Sequence, residues 1–135
     1  MSDIDSSCRR VVEKVDGALA CGVVDLGSGM LLGMHNGAEG TGLLDELVAA
    51  ATMDLFRGSS VDRIERMVRQ HRGLPQRDGQ RFEEIHVTSS RNFHFAKAIA
   101  GGRAVIVLVT TKTTNIGMGW AQLKAVIPEV EALVP

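Results

Sequence analysis

The stretch RAVIVLV, residues 103–109, contains the longest strongly apolar run of the chain, Ala104 to Val109. The run is rich in β-branched residues and no polar residue alternates with them, which is typical of a strand covered on both faces of a sheet. We therefore expect a strand from Arg103 to Thr110 at the centre of the sheet. The run is far shorter than the roughly 20 residues that cross a bilayer, so we expect no membrane insertion.

Glycine-containing turns divide the rest of the chain into further strands. The Gly101-Gly102 pair predicts a hairpin between the central strand and the strand before it, because glycine adopts positive φ at little cost. A second hairpin is expected around the Gly27-Ser28-Gly29 turn. Besides the central strand, the predicted strands are Ala18–Val24, Met30–His35, Phe82–Thr88 and Phe93–Ile99.

Apolar residues at helical spacing predict helices between and beside these strands. The first runs from Ile4 to Val15 with Ser6 or Asp5 as its cap, and the second runs from Leu43 to Phe56. A third, from Ser59 to about Gln70, is expected to turn Val61, Ile64, Met67 and Val68 inward. The last begins near Gly117 with the stripe Trp120, Leu123, Ile127, Val130 and Val134, and Pro128 should interrupt it.

The predicted order is helix, two strands, helix with an extension, three strands, helix. All strand connections except one are hairpins, which implies an α+β (α/β) fold with a central five-stranded antiparallel sheet flanked by helices. A chain of 135 residues suits a single domain spanning residues 1–135.

Composition excludes several classes of function. The formal net charge of −1 gives no support for binding to nucleic acid, and the 4% of aromatic residues leave few rings for stacking on bases. Cys8 and Cys21 are not in a metal-ligand spacing, and we expect both to be reduced and buried. Residues 1–5 are acidic and polar and carry no export signal, so we expect a cytoplasmic protein.

The candidate chemical groups do not combine into a catalytic site. His86 and His94 would face each other if a three-residue loop joined their strands, but would lie on opposite faces if the loop had two residues. Neither they nor His35 and His71 have further ligands placed to complete a metal site. The Gly117-Met118-Gly119 segment lacks the pattern of a phosphate-binding loop. We therefore expect no catalytic residue, no cofactor and no metal, and hence no enzyme.

Three stretches resemble the roadblock/dynein-light-chain family, whose fold is profilin-like. They are VDGALACGVVD at residues 15–25 with the Gly-Ser-Gly turn after it, RAVIVLV at 103–109, and NIGMGW at 115–120, which is similar to the start of the family's last helix. The chain departs from the family pattern by a basic helix-loop insertion at about residues 59–80.

The resemblance implies a homodimer that acts as a regulatory or scaffold platform, in bacteria often beside a small Ras-like GTPase. Apolar surface in excess of what a core needs, together with an edge strand, is expected to form the dimer interface. The expected interface residues are Leu43, Ala50, Met53, Phe56, Phe82, Ile85 and Val87. The alternatives are an adaptor in a structural or motor complex and a small-molecule sensor with a cavity lined by Met30, Met34, Phe93 and Phe95.

The basic insertion gives a candidate surface for a partner. Arg63, Arg66 and Arg69 recur every three residues along the third predicted helix. A solvated helix face is the simpler interpretation, and docking onto an acidic partner is the functional one, because arginine is favoured at such contacts. An arginine finger acting on a partner GTPase is a further alternative.

Overall fold

The computed structural model describes residues 3–37, 59–73 and 83–135. The predicted helix of residues 43–56 and most of the loop that ends the predicted 59–80 insertion therefore lie outside the described residues. The described helices are α1 (Ile4–Lys14), α2 (Ser59–Arg72), α3 (Ile116–Ala125) and α4 (Ile127–Glu131). The strands are β1 (Ala18–Asp25), β2 (Leu31–Asn36), β3 (Glu84–Thr88), β4 (Asn92–Ile99) and β5 (Ala104–Thr111).

The five strands form one antiparallel sheet in the order β2-β1-β5-β4-β3. This arrangement confirms the predicted α+β fold, and it confirms that the apolar run of residues 104–109 is the central strand. The Gly101-Gly102 turn between β4 and β5 also has the predicted conformation, with φ of 66° and 86°. Strands β2 and β3 are left as the two edges of the sheet.

The core lies mainly on one face of the sheet, under α1, α3 and α4. Buried residues of these helices, such as Val11, Leu123 and Val130, pack against strand residues such as Phe95 and Ile106. The opposite face carries a second buried cluster of Val24, Leu26, Ala96, Val105 and Val107. Strand β5 is thus buried on both faces, which explains why its sequence is apolar without alternation.

Local hydrogen bonds fix the ends of the helices. The cap of α1 is Asp3, whose carboxylate accepts from the Ser6 amide at 2.8 Å, and not Ser6 or Asp5 as predicted. Asn115 caps α3 in the same way through the Met118 amide at 2.9 Å. The last helix is interrupted at Val126, between α3 and α4. Pro128 lies in the first turn of α4, where its missing N–H costs no hydrogen bond. The predicted interruption by Pro128 is therefore confirmed.

Helix α2 differs from its prediction in what it buries. Ile64, Met67 and Val68 were expected to face inward, but 51%, 62% and 44% of their respective surfaces are exposed. The spacing predicts an amphipathic helix correctly, but it cannot tell whether the apolar side meets the chain's own core or solvent. No helix in the described part of the chain combines the length and the apolarity needed to cross a membrane.

Candidate interaction surfaces

Strand β3 is an edge strand whose outer side pairs with no strand in the described part of the chain. The Glu83 carbonyl accepts from Ala98 and the Ser89 amide donates to Asn92, so these two contacts fix the alternation of the β3–β4 ladder. Every second residue counted from Glu83 to Ser89 forms backbone hydrogen bonds with β4. The residues in between direct their backbone groups away from the sheet. The amide and carbonyl groups of Glu84, His86 and Thr88 therefore point outward, and no hydrogen bond to another described residue satisfies them.

Ion pairs hold this edge against the body of the domain. The Glu84 carboxylate lies 3.2 Å from Lys97 Nζ on β4 and 3.0 Å from Lys124 Nζ on α3. The Lys124 contact, with help from Lys97, lowers the pKa of the Glu84 carboxyl below its usual value. The charged carboxylate thus ties β3 to both a strand and a helix. A rigid edge loses little conformational entropy when another strand pairs with it.

An aromatic cluster supports β3 from the helix side of the sheet. The His86 ring contacts Phe93 and Phe95 with centroid distances of 5.4 and 5.1 Å, and Phe95 meets Trp120 of α3 at 5.3 Å. A Cβ added at Gly119 would lie 2.8 Å from the Phe95 ring, so glycine lets α3 approach this cluster. The cluster therefore depends on a small residue on α3.

The predicted interface residues are only partly described. Leu43, Ala50, Met53, Phe56 and Phe82 lie outside the described residues. Ile85 and Val87 are on β3, on the face opposite the helices, since Ile85 packs with the Val105 and Val107 cluster. Ile85 is half-buried and Val87 is 38% exposed. Val87 thus offers apolar surface directly beside the outward backbone groups of β3.

Helix α2 carries the second candidate surface, which we call the α2 stripe: Ile64, Met67 and Val68. At 3.6 residues per turn these three side chains share one side of the helix, with Arg63 and Arg72 on its two borders. Both arginines are exposed. The α2 stripe is thus an exposed apolar patch with positive charge on either side.

Of the three predicted docking arginines, the helix geometry places only Arg63 beside the α2 stripe. Arg66 and Arg69 lie on the opposite side of α2, and each interacts with another residue. The prediction grouped the three arginines because they recur every three residues. On a helix, however, residues three apart are displaced by about 60° at each step, so the three do not stay on one side. Arg72 is not among the predicted docking residues, although its distance of four residues from Val68 would have indicated it.

The two strand histidines that the sequence placed as a possible pair lie on opposite faces of the sheet. The Ser90-Arg91 turn has two residues, so His86 pairs with Phe95 whereas His94 pairs with Val87 on the opposite face of the sheet. Burial, with a smaller contribution from His86, lowers the pKa of His94 below its usual value. No group of three His, Cys, Asp or Glu residues within the described ranges could hold a metal ion.

Both cysteines are buried, as expected, and no disulfide joins them. Cys8 of α1 and Cys21 of β1 belong to the same core cluster. A hydrogen bond with Cys8, together with burial, raises the pKa of the Cys21 thiol well above its usual value. A thiol in this state is a poor nucleophile, because the thiolate is the reactive form.

The cavity expected for a small-molecule sensor is not formed by its four predicted residues. Met34 pairs with Gly22 on one face of the sheet, whereas Phe95 is fully buried on the other, and Met30 is 66% exposed. A different groove of about 570 Å³ lies between the end of α1 and the start of α3. Its lining residues include Lys14, Asp16, Thr113, Asn115 and Met118.

The hydroxyl groups beside this groove are used in local structure. Thr114 Oγ1 donates to the Asp16 carbonyl at 2.6 Å, and the Thr111 and Thr113 hydroxyls are 2.7 Å apart. A Cβ at Gly17 would lie 2.5 Å from Thr114 Oγ1, so the turn after α1 requires glycine here, at φ 85°. These contacts are local hydrogen bonds of the kind that threonines make in turns.

The chain is similar in structure to several solved proteins. These include "MglB with tetrameric arrangement" (TM-score 0.73, 15% identity, 95% of this chain and 85% of that one) and MglB from Myxococcus xanthus (0.70, 15%, 96% and 93%). A Roadblock/LC7 domain from Streptomyces avermitilis matches with a TM-score of 0.65 and 16% identity over 96% of this chain and 98% of that one.

No family model and no curated protein sequence matches the chain. At identities of 15 to 16%, the similarity concerns the fold, and it extends over nearly the whole length of both chains. The structural matches agree with the sheet order, the helix placement and the resemblance inferred from the three stretches. This chain has the fold of the Roadblock/LC7 domain.

Proposed function

We propose that this protein is a non-enzymatic regulatory or scaffold subunit that dimerises through β3 and binds a signalling partner through α2. The observation that carries the proposal is the open edge of β3, with three residues whose backbone groups face away from the sheet. Antiparallel pairing of two copies about a two-fold axis would place His86 opposite His86 and Glu84 opposite Thr88. Such pairing adds about six backbone hydrogen bonds.

The sequence and the comparisons with solved structures support self-association independently. The expected interface residues Met53 and Phe56 would add a helix contact to the strand pairing, and a specific interface needs about 1,600 Å² in total. One of the similar structures is itself described as having a tetrameric arrangement. The edge strand β3, which carries the exposed Val87, supplies the centre around which an interface of this area can form.

Proline at position 86 tests the pairing directly. Because the His86 amide points outward, His86→Pro removes no hydrogen bond to β4, but it blocks the central bond of an added strand. His86→Val removes the same imidazole and keeps the amide, so it is the matched control. We expect light scattering to give twice the 14.5 kDa chain mass for the wild type and for His86→Val, and the single mass for His86→Pro. A wild-type protein that stays monomeric, or a dimeric His86→Pro, would contradict the proposal.

The chemistry of α2 indicates the kind of partner. The helix has four arginines against two carboxylates, and its α2 stripe exposes apolar side chains next to Arg63 and Arg72. This combination fits an apolar groove with an acidic rim on another protein. The stripe has no Trp, Phe or Leu, which interfacial membrane helices typically use. The resemblance to the roadblock/dynein-light-chain family supports a small Ras-like GTPase, or a protein of its signalling machinery, as the partner.

A small-molecule sensor is the second candidate function, and the groove between α1 and α3 is the observation that favours it. Its volume lies in the range of ligand sites. The groove is open, and the polar groups of Thr114 and Asn115 in its lining already make hydrogen bonds within the chain. These two features favour the scaffold function over the sensor.

A further inference from the structure

The second edge of the sheet, strand β2, differs from β3 in being closed by a helix. The Gly37 amide donates to the Leu19 carbonyl at 2.7 Å, and this contact sets the alternation of the β1–β2 ladder. By that alternation, Met34 and Asn36 direct their backbone amides away from the sheet. These are the groups that a further strand would have to reach.

Helix α1 occupies this position. Asp5 in its first turn accepts a hydrogen bond from the Met34 amide, with Oδ1 at 2.8 Å from the nitrogen. A Cβ at Gly33 would lie 2.5 Å from Ile4 Cγ2, so glycine in β2 lets the helix come this close. Asn36 also has an interaction partner. The helix thus covers the edge and satisfies the Met34 amide.

The sequence of β2 makes this cover necessary. The strand, LLGMHN, has no Asp, Glu, Lys or Arg. Like charges brought face to face oppose the pairing of an edge strand with its own copy, and β2 has none, so it needs another form of protection. For β2 that protection is the carboxylate of Asp5 and the packing of Ile4.

We propose that β2 is a second self-pairing edge, that the Asp5–Met34 bond keeps it closed, and that its occupant when open is the β2 strand of a second copy of this chain. Antiparallel pairing of two β2 strands brings no Asp, Glu, Lys or Arg side chains together. While β2 is closed, assembly through β3 stops at two chains, because a two-fold contact closes on itself. With both edges open, pairs join into an extended sheet. Only this last consequence rests on the proposed β3 pairing.

The test compares Asp5→Ala with Asp5→Asn. Alanine removes the acceptor of the Met34 amide, whereas asparagine keeps an oxygen at the same position. For Asp5→Ala we expect amide hydrogen exchange at Met34 to be roughly tenfold faster than in the wild type. We also expect its mass by light scattering to rise with concentration beyond that of the wild type, and Asp5→Asn to behave as the wild type. Equal exchange rates of the Met34 amide in all three proteins would show that Asp5 does not protect the β2 edge. Faster exchange in Asp5→Ala without a larger mass would overturn β2 pairing.

The His86→Pro background separates this inference from the proposed function. In that background the β3 edge is blocked, so Asp5→Ala should convert a monomer into a dimer and no further. If the wild type is a monomer, the proposed β3 dimer fails, but the step from monomer to dimer on Asp5→Ala is still expected. An Asp5→Ala, His86→Pro protein that remains monomeric at every concentration would refute β2 pairing alone.

Discussion

At the scale of single residues, the contact between Gly119 and Phe95 decides how closely α3 approaches the sheet. Phe95 is fully buried and contacts Phe93, His86 and Trp120, so its ring has little room to move. Gly119→Ala places a Cβ 2.8 Å from that ring. Overpacking of this kind typically costs about 1–3 kcal/mol in the free energy of unfolding.

The matched control for this substitution lies two residues earlier on the same helix. A Cβ at Gly117 meets only the Asn115 side chain, at an ordinary 3.4 Å. We expect Gly117→Ala to leave the free energy of unfolding unchanged or to raise it by up to about 1 kcal/mol, because alanine is the better helix former. Urea unfolding measures both variants. Equal stability of the two would show that the Phe95 contact does not limit α3.

At the scale of elements, an ion pair between α1 and α4 links stability to pH. The Arg10 guanidinium donates to the Glu129 carboxylate, and the Ser7 hydroxyl donates to it at 3.1 Å. These hydrogen bonds, Arg10 first, lower the pKa of the Glu129 carboxyl below its usual 4.5. Because the pKa is lower in the folded state, the pair stabilises the fold above the unfolded pKa, and this contribution is lost as the pH falls through the folded pKa.

Glu129→Gln should therefore flatten the fall in stability between about pH 6 and pH 3. More than a third of each partner side chain is exposed, so we expect a difference of about 1 kcal/mol or less. Chemical unfolding at several pH values measures it. Glu13→Gln, which removes a carboxylate paired with Arg9 inside α1, is the control. A slope for Glu129→Gln as steep as that of the wild type would show that the pair does not link stability to pH.

At the scale of the whole molecule, the proposed function separates self-association on β3 from partner binding on α2. Capture from native extract, loaded with either a GTP analogue or GDP, should enrich a small GTPase in one nucleotide state. We expect Met67→Asp to reduce that enrichment at least about tenfold, because a charge in an apolar contact is costly to bury. Met67→Asp should leave the mass measured by light scattering at that of the dimer, whereas His86→Pro should reduce it to that of one chain.

Arg66→Glu, on the far side of α2, is the control for charge reversal in the same helix, and we expect its capture to match the wild type. Equal enrichment in both nucleotide states would indicate a tether without nucleotide sensing. Enrichment unaffected by Met67→Asp would move the docking surface away from the α2 stripe. Captured material that contains no GTPase in either nucleotide state would contradict the proposed partner.

Much of the fold follows from the sequence because hydrophobic period and turn residues act locally. The apolar run of residues 104–109 identifies the central strand, the Gly101-Gly102 pair identifies its hairpin, and Pro128 marks the break before α4. The two-residue turn at Ser90-Arg91 was left open by the sequence, because one residue more or less reverses the face of every side chain in a strand. The backbone pairing resolved it and placed His86 and His94 on opposite faces.

The element order, the burial of β5 on both faces and the amphipathic character of α2 follow from the sequence alone, since each depends on the spacing of nearby residues. Tertiary contacts decide that α2 turns its apolar side to solvent and that Asp5 of α1 reaches the Met34 amide of β2. They also close the β2 edge, whereas no described residue bonds to the outward backbone groups of β3. Asp5 and Met34, for example, lie 29 positions apart in the sequence, and no local pattern encodes such a meeting.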